Sequence, residues 1–198
     1  MQSCGLILLA AGASKRLGQP KQLLPLGDKS LLQHGLETAL QANVEPVILV
    51  TGADAGVIEK EVHDKKINVV ENADWEEGIA SSIRCGLNAL LEITPDIEHA
   101  IFMVCDQPFV SVSLLNELID ACNTSGDDII ACSYSNTIGT PALFSKNYFP
   151  ALLELQGDEG AKKLLKQYSD AVGVIPFPKG NIDIDTMQDY HEWKNSTV

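Results

Sequence analysis

The stretch Leu8-Leu9-Ala10-Ala11-Gly12-Ala13-Ser14-Lys15-Arg16-Leu17-Gly18-Gln19-Pro20-Lys21 carries the reading of this chain. An apolar run from Leu6 to Ala10 has the character of a buried strand and empties into a loop of small residues. Lys15, Arg16 and Lys21 follow. Small side chains let backbone N–H groups come close to a ligand, and cations beside bare amides favour a polyphosphate. The charge contrast sharpens the point: the formal net charge is −13, yet this loop is cationic.

Working outward, short apolar runs alternate with helix-like segments. The strand candidates are Cys4–Ala10, Pro46–Thr51, Ile67–Val70, Ala100–Cys105, Asp128–Ser133 and Val172–Ile175. They are rich in Ile, Val and Leu without strict alternation, as expected of strands covered on both faces. Ser30–Gln41 reads as a helix with a Ser cap and places Leu32, Leu36, Ala39 and Leu40 on one face. Ala55–His63, Ile79–Leu91, Ser113–Asn123, Glu159–Tyr168 and Thr186–Lys194 are the other helix candidates. This alternation predicts an α/β fold, three-layer α/β/α with a mainly parallel sheet. Asn136–Phe144, which carries Gly139-Thr140-Pro141, breaks the rhythm and reads as a strand or hairpin near the sheet edge. Ligands in such folds sit where strand C-termini meet a topological switch. That points to the loops after Ala10, Ala73 and Cys105.

The 198 residues are 45% hydrophobic, enough for one substantial core, so a single domain over 1–198 is expected. The 27 acidic against 14 basic residues argue against nucleic acid and against an anionic membrane surface. With no signal-like N-terminus and no apolar run of about 20 residues, a cytoplasmic monomer is expected. Cys4, Cys85, Cys105, Cys122 and Cys132 form no Cys-x-x-Cys pair and read mostly as small buried hydrophobes. His34, His63, His99 and His191 lack metal-ligand spacing and read as surface or helix-end residues.

Five segments have chemistry to offer. The Gly12–Lys21 loop is neither a Walker A motif nor a Gly-x-Gly-x-x-Gly loop, since Gly12 and Gly18 stand six apart. As chemistry it offers backbone donors, the Arg16 fork and two point charges. These suit a triphosphate whose charge grows on a leaving pyrophosphate; the alternative is a solvated surface turn. The chain has two arginines, Arg16 and Arg84, against twelve lysines. Arg84 follows Gly78, Ser81 and Ser82 at a helix start, which suits an anion or nucleobase. The alternative is a helix cap with Arg84 paired to a surface carboxylate. Asp106, at the tip of an apolar strand, suits Mg²⁺ beside a phosphate, or else caps the next turn. Asp183 and Asp185 share a face if extended, so one of them could complete that metal site, while Asp185 or Thr186 could cap the last helix. Gly157-Asp158-Glu159-Gly160-Ala161 reads as a turn and helix start.

Together these residues resemble a known family. Leu9-Ala10-Ala11-Gly12-x-Ser14-x-Arg16-x-Gly18-x-x-Lys21 is similar to the signature of nucleotidyltransferases with the nucleotide-diphospho-sugar transferase fold (GT-A-like, Rossmann-like). The supporting segments are Pro20–Leu26, Gly78–Leu87, Asp106-Gln107-Pro108, Gly157–Ala161 and Asp183–Thr186, in the family's order. Within the superfamily the chain most resembles the molybdenum cofactor cytidylyltransferases, the MocA-like group. The resemblance implies transfer of CMP from CTP to the terminal phosphate of molybdopterin, with pyrophosphate leaving. Ala10-Ala11-Gly12, where guanylyltransferases usually show Ala-Gly-Gly, implies CTP over GTP. Arg16, Lys21 and Asp106 would be catalytic. Leu9, Ala10, Ala11, Gly12, Ala13, Ser14, Lys21, Ser81, Ser82 and Arg84 would bind the nucleotide. Asp106 with Asp183 or Asp185 would hold Mg²⁺, with Mn²⁺ as an alternative, and the Gly157–Ala161 turn would contact the acceptor. A molybdenum hydroxylase apoenzyme is the implied partner. Many relatives have Met in place of Ile79 and His in place of Thr140, and the second departure bears on the acceptor. The alternatives are a transferase using GTP or a sugar or polyol phosphate, and a non-catalytic protein that delivers the finished cofactor.

Overall fold

A computed structural model describes residues 3–196; residues 1, 2, 197 and 198, the ends of the expected domain, lie outside the described residues. Its axis is β1 (Cys4–Leu9), every residue of which is buried. Leu6 and Leu8 enter one core and Ile7 and Leu9 the other, because successive strand side chains point to opposite faces. Beside β1 lie β4 (Val47–Thr51) and β6 (His99–Val104), both parallel to it, and β5 (Ile67–Glu71) is parallel to β4. Beyond β6 come β8 (Thr137–Ser145), β7 (Ile129–Tyr134) and β9 (Val172–Pro176). The strand order is β5-β4-β1-β6-β8-β7-β9, and β8 runs against its neighbours. A two-stranded hairpin, β2 (Pro25–Leu26) with β3 (Lys29–Ser30), stands apart.

Helices cover both faces. α1 (Leu31–Gln41), α4 (Val112–Ser125) and α7 (Met187–Ser196) send Leu32, Leu36, Leu115, Leu118 and Tyr190 to the core of Leu6 and Leu8. α3 (Ile79–Ile93), α5 (Phe149–Leu153) and α6 (Lys162–Gln167) send Ile83, Leu87, Phe149, Leu152 and Leu165 to the other. The result is the expected three-layer α/β/α fold. α3 packs tightly: a Cβ on Gly86 would stand 2.5 Å from Ile7 and 2.8 Å from Val50. The expected helix after Ala55 is short, α2 (Ala55–Ile58), followed by a 3₁₀ turn.

Ser30 caps α1 as its sequence suggests. Its hydroxyl accepts from Gln33 N while the Gln33 side chain accepts from Ser30 N, a complete capping box. Ser30→Ala should cost about 1 kcal/mol in urea unfolding; an unchanged midpoint would show the box to be idle.

Two expectations need correction. The Asn136–Phe144 strand is not near the sheet edge; β8 lies between β6 and β7. The cause is the turn Ser135-Asn136, both residues at positive φ (46° and 59°), which folds β8 back onto β7 and feeds it to β6. The second concerns His99, which opens β6 buried rather than at the surface, and burial lowers the pKa of its imidazole.

Candidate functional site

β1 sends its chain to β4 and β5 on one side, while β6 enters on the other, so the loops after β1 and β6 diverge at a switch point. A cleft of about 630 Å³ opens there. It is lined by the end of β1 and the chain after it (Leu9 to Lys15), by Lys21 and Gln22, by Trp75, Glu76, Gly78 and Ile79 after β5, by Ser82, and by Cys105 and Asp106 after β6. Asp158 closes one side. The three expected loops therefore converge.

The loop after β1 is shaped by its own backbone. Ser14 takes positive φ (47°), Ser14 O accepts from Leu17 N, and Ser14 Oγ accepts from Lys21 N at 3.0 Å. Among the described residues the amides of Ala11, Gly12 and Ala13 donate to no protein acceptor. Three bare donors line the cleft in sequence, an arrangement that attracts anions.

The cations of the loop are not bare. Lys21 Nζ lies 2.6 Å from Asp106 and 2.8 Å from Asp185, and Arg16 lies 2.7 Å from Asp185. The expected cationic patch is thus an ion-pair network between the N-terminal loop and the segment before α7. Burial alone would lower the pKa of Lys21, but Asp106 and Asp185 raise it above its ordinary value. Partial burial pushes Asp185 up, yet Lys21 and Arg16 bring it below the usual carboxylate range. Asp183 forms no ion pair among the described residues. Burial, then the charges of Asp106 and Asp185, push its carboxyl up to about 6.

The sign for stability follows. Between pH 4 and pH 6 the native state holds a proton that the unfolded chain has released, so Asp183 weakens the fold as pH rises through that window. Asp183→Asn should therefore melt higher than wild type above pH 6, with the gain gone below about pH 4. A gain that persists at low pH would contradict this.

Backbone contacts place the two acids. Ile184 is buried and its N–H donates to Asp106 O, so the carboxylate-bearing segment docks on the tip of β6. Thr186, not Asp185, caps α7: its Oγ1 accepts from Asp189 N, while Asp189 Oδ2 accepts from Thr186 N and Oγ1. Asp185 is left to face Lys21 and Arg16.

The remaining expected residues divide. Ser82 lines the cleft, whereas Ser81 is turned inward, donating to Gly78 O. Asn72, which the sequence did not single out, donates to both hydroxyls at 2.8 and 3.0 Å and fastens the start of α3 to the end of β5. A polar residue just past an apolar strand was the available signal. Arg84 is not brought to the cleft. Its guanidinium grips Glu77 at 2.6 and 3.0 Å and donates to Leu155 O, so the paired-carboxylate alternative describes its place. The Gly157-Asp158 turn covers the start of α3, with Gly157 O accepting from Ala80 N. Gly78 permits this approach: it takes φ 120°, and a Cβ there would meet Gly157 O at 2.5 Å. Gly78→Ala should lower both melting temperature and nucleotide affinity, because the turn that carries Asp158 must move; unchanged affinity would separate the turn from the site.

Among the described residues no three His, Cys, Asp or Glu side chains form a ready metal cage, and no helix is long and apolar enough to cross a membrane. Four of the five cysteines are buried and all are free; Cys85 is half-buried.

The sheet order and the switch-point cleft, with a loop of bare amides along it, are those of a three-layer α/β fold. The chain belongs to the MobA-like NTP transferase family, whose domain matches residues 6–172. It is 30% identical over 194 residues to the purine catabolism protein PucB of Bacillus subtilis, covering 93% of this chain and 92% of that protein. It is also 30% identical over 193 residues to the nicotine blue oxidoreductase of Paenarthrobacter nicotinovorans, covering 92% of each. To the molybdenum cofactor cytidylyltransferase of Escherichia coli it is 25% identical over 191 residues, covering 96% and 95%. Among solved structures, a homologue of Rv0371c from Mycobacterium sp. strain JC1 superposes with a TM-score of 0.85 at 33% identity, covering 100% of this chain and 98% of that one. A manganese complex of Rv0371c from Mycobacterium tuberculosis superposes with a TM-score of 0.76 at 29% identity, covering 96% and 97%.

Proposed function

We propose that this protein transfers a nucleotidyl group from a nucleoside triphosphate to a phosphate-bearing acceptor, releasing pyrophosphate. The observation that carries the reading is the convergence of three bare amides, Lys21 and Asp106 on one cleft. The amides of Ala11, Gly12 and Ala13 receive the phosphates, and Ser82 helps seat the sugar or base. Lys21 and Arg16 reach the triphosphate by turning from Asp106 and Asp185, and they neutralise charge on the departing pyrophosphate. An acceptor phosphate is already an anionic nucleophile, so catalysis consists of alignment and charge neutralisation.

The residues fit a divalent cation. Asp106 and Asp185 already cradle one positive charge, that of Lys21, and Asp183, whose carboxyl feels the charges of both, forms no ion pair of its own among the described residues. Two carboxylates completed by substrate phosphates suit Mg²⁺ or Mn²⁺ better than a protein-only cage. Asp106 with Asp185 or Asp183 would hold the ion, which supplies charge neutralisation at the phosphates when bound. The manganese complex of the mycobacterial relative supports this reading.

The donor and acceptor are the finer question. CTP and molybdopterin remain one reading, supported by Ala11 and by the full-length similarity to the cytidylyltransferase. The higher identity to PucB and to the Paenarthrobacter protein favours a family transferase with a different acceptor. Thr140 weighs the same way: where many relatives carry an imidazole, its hydroxyl bonds Gln107 at 3.3 Å. Pyrophosphate release measured over a panel of nucleoside triphosphates and phosphate acceptors, molybdopterin included, decides among these. Cofactor binding without pyrophosphate release under any combination would replace the enzyme with a carrier.

A further inference from the structure

We infer that Gln22 is a positioning residue that aims two of the three amides at the triphosphate; this rests on the nucleotidyl-transfer reading. Gln22 is 1% exposed and lies beneath the loop after β1. Its Nε2 donates to Ala10 O at 2.6 Å and to Gly12 O at 3.2 Å. The carbonyl between them, Ala11 O, accepts instead from Ala53 N at 3.1 Å. Three consecutive carbonyls are thus tied back into the protein by two separate anchors.

A trans peptide is planar, so its N–H points opposite its C=O. Holding the carbonyls of Ala10 and Gly12 inward turns the amides of Ala11 and Ala13 outward. Holding Ala11 O does the same for the amide of Gly12. Both protons of the Gln22 amide are spent on this task, and the reverse rotamer would set its oxygen against two carbonyl oxygens. The price is visible: Gln22 Oε1 is buried and finds no partner among the described residues. An apolar side chain would fill the same space without that unsatisfied acceptor, so packing alone does not account for glutamine here. Without the clamp the Ala10 and Gly12 carbonyls are free to swing toward the cleft and oppose the phosphates.

The two anchors make the test specific. Magnesium tripolyphosphate is titrated into ¹⁵N-labelled wild type, Gln22→Met and Gln22→Glu, and binding of it and of Mg·CTP is measured by calorimetry. In wild type the amide resonances of Ala11, Gly12 and Ala13 are expected to shift. In both variants Ala11 and Ala13 lose their response while Gly12, held by Ala53, keeps it. Both ligands bind about tenfold more weakly, as for loss of a buried hydrogen-bonding group. Equal loss at all three amides, unchanged affinity in the variants, or a wild type that binds while its Ala11 and Ala13 amides stay still overturns the inference. A variant that does not fold leaves the last of these to decide. A wild type that binds neither ligand overturns the functional reading itself.

Discussion

Replacing Lys21 with alanine should slow pyrophosphate release by about 10²-fold or more, the usual effect of deleting one charge contact to the departing group. The ammonium is half-buried at the cleft, where two carboxylates hold it until it turns to the phosphates. Charge grows on the leaving pyrophosphate during transfer, so the loss should fall mainly on kcat rather than on nucleotide affinity. Metal affinity should move the other way. Lys21 competes with any cation for Asp106 and Asp185, and removing it frees both carboxylates. Calorimetry of the variant with Mn²⁺ is therefore expected to show binding at least as tight as wild type. An unchanged rate of release would remove Lys21 from the machinery, and weakened Mn²⁺ binding would show that the carboxylates collapse without it.

Asp106→Ala should abolish turnover in the presence of Mg²⁺ while leaving the fold in place. The fold survives because the structural bond at this position comes from the backbone: Asp106 O accepts from Ile184 N, and alanine keeps that carbonyl. What disappears is one carboxylate of the cation cradle and one partner of Lys21. A triphosphate offered without metal should then bind more tightly than in wild type, since a negative charge has left the cleft and Lys21 has gained freedom. Loss of turnover together with tighter metal-free binding is the signature of a cation ligand. Near-normal turnover would discard that role for Asp106, and loss of both activity and metal-free binding would point to a structural role.

Much of the architecture was legible in the chain. The runs around Leu8, Ile48, Phe102 and Ile130 are apolar on both faces, which only strands in a covered sheet require. Ser30 announced a helix start as a cap residue, and the structure completes the cap with Gln33 three residues on. The place of β8 was not legible, because its neighbours are chosen by the Ser135-Asn136 turn and by a long-range pairing with β6. The same division holds in the site. Ala11, Gly12, Ala13, Lys21 and Asp106 reach the cleft from loops, and Ser82 from a helix start, that composition marked out. Ser81 and Arg84 carry equally suggestive chemistry, yet Asn72 and Glu77 claim them.

By itself, then, the sequence determined the main strands and the longer helices, though not α5 or the β2–β3 hairpin, and which loops bear amides, hydroxyls and charge. These properties are set by neighbours a few residues apart. Tertiary structure alone decided that Lys21 answers to Asp106 and Asp185, that Arg84 answers to Glu77, and that Gln22 holds the loop. A charged or amide side chain has many partners within reach in an unfolded chain. The fold selects among them by bringing together groups as far as 169 residues apart at hydrogen-bond distance.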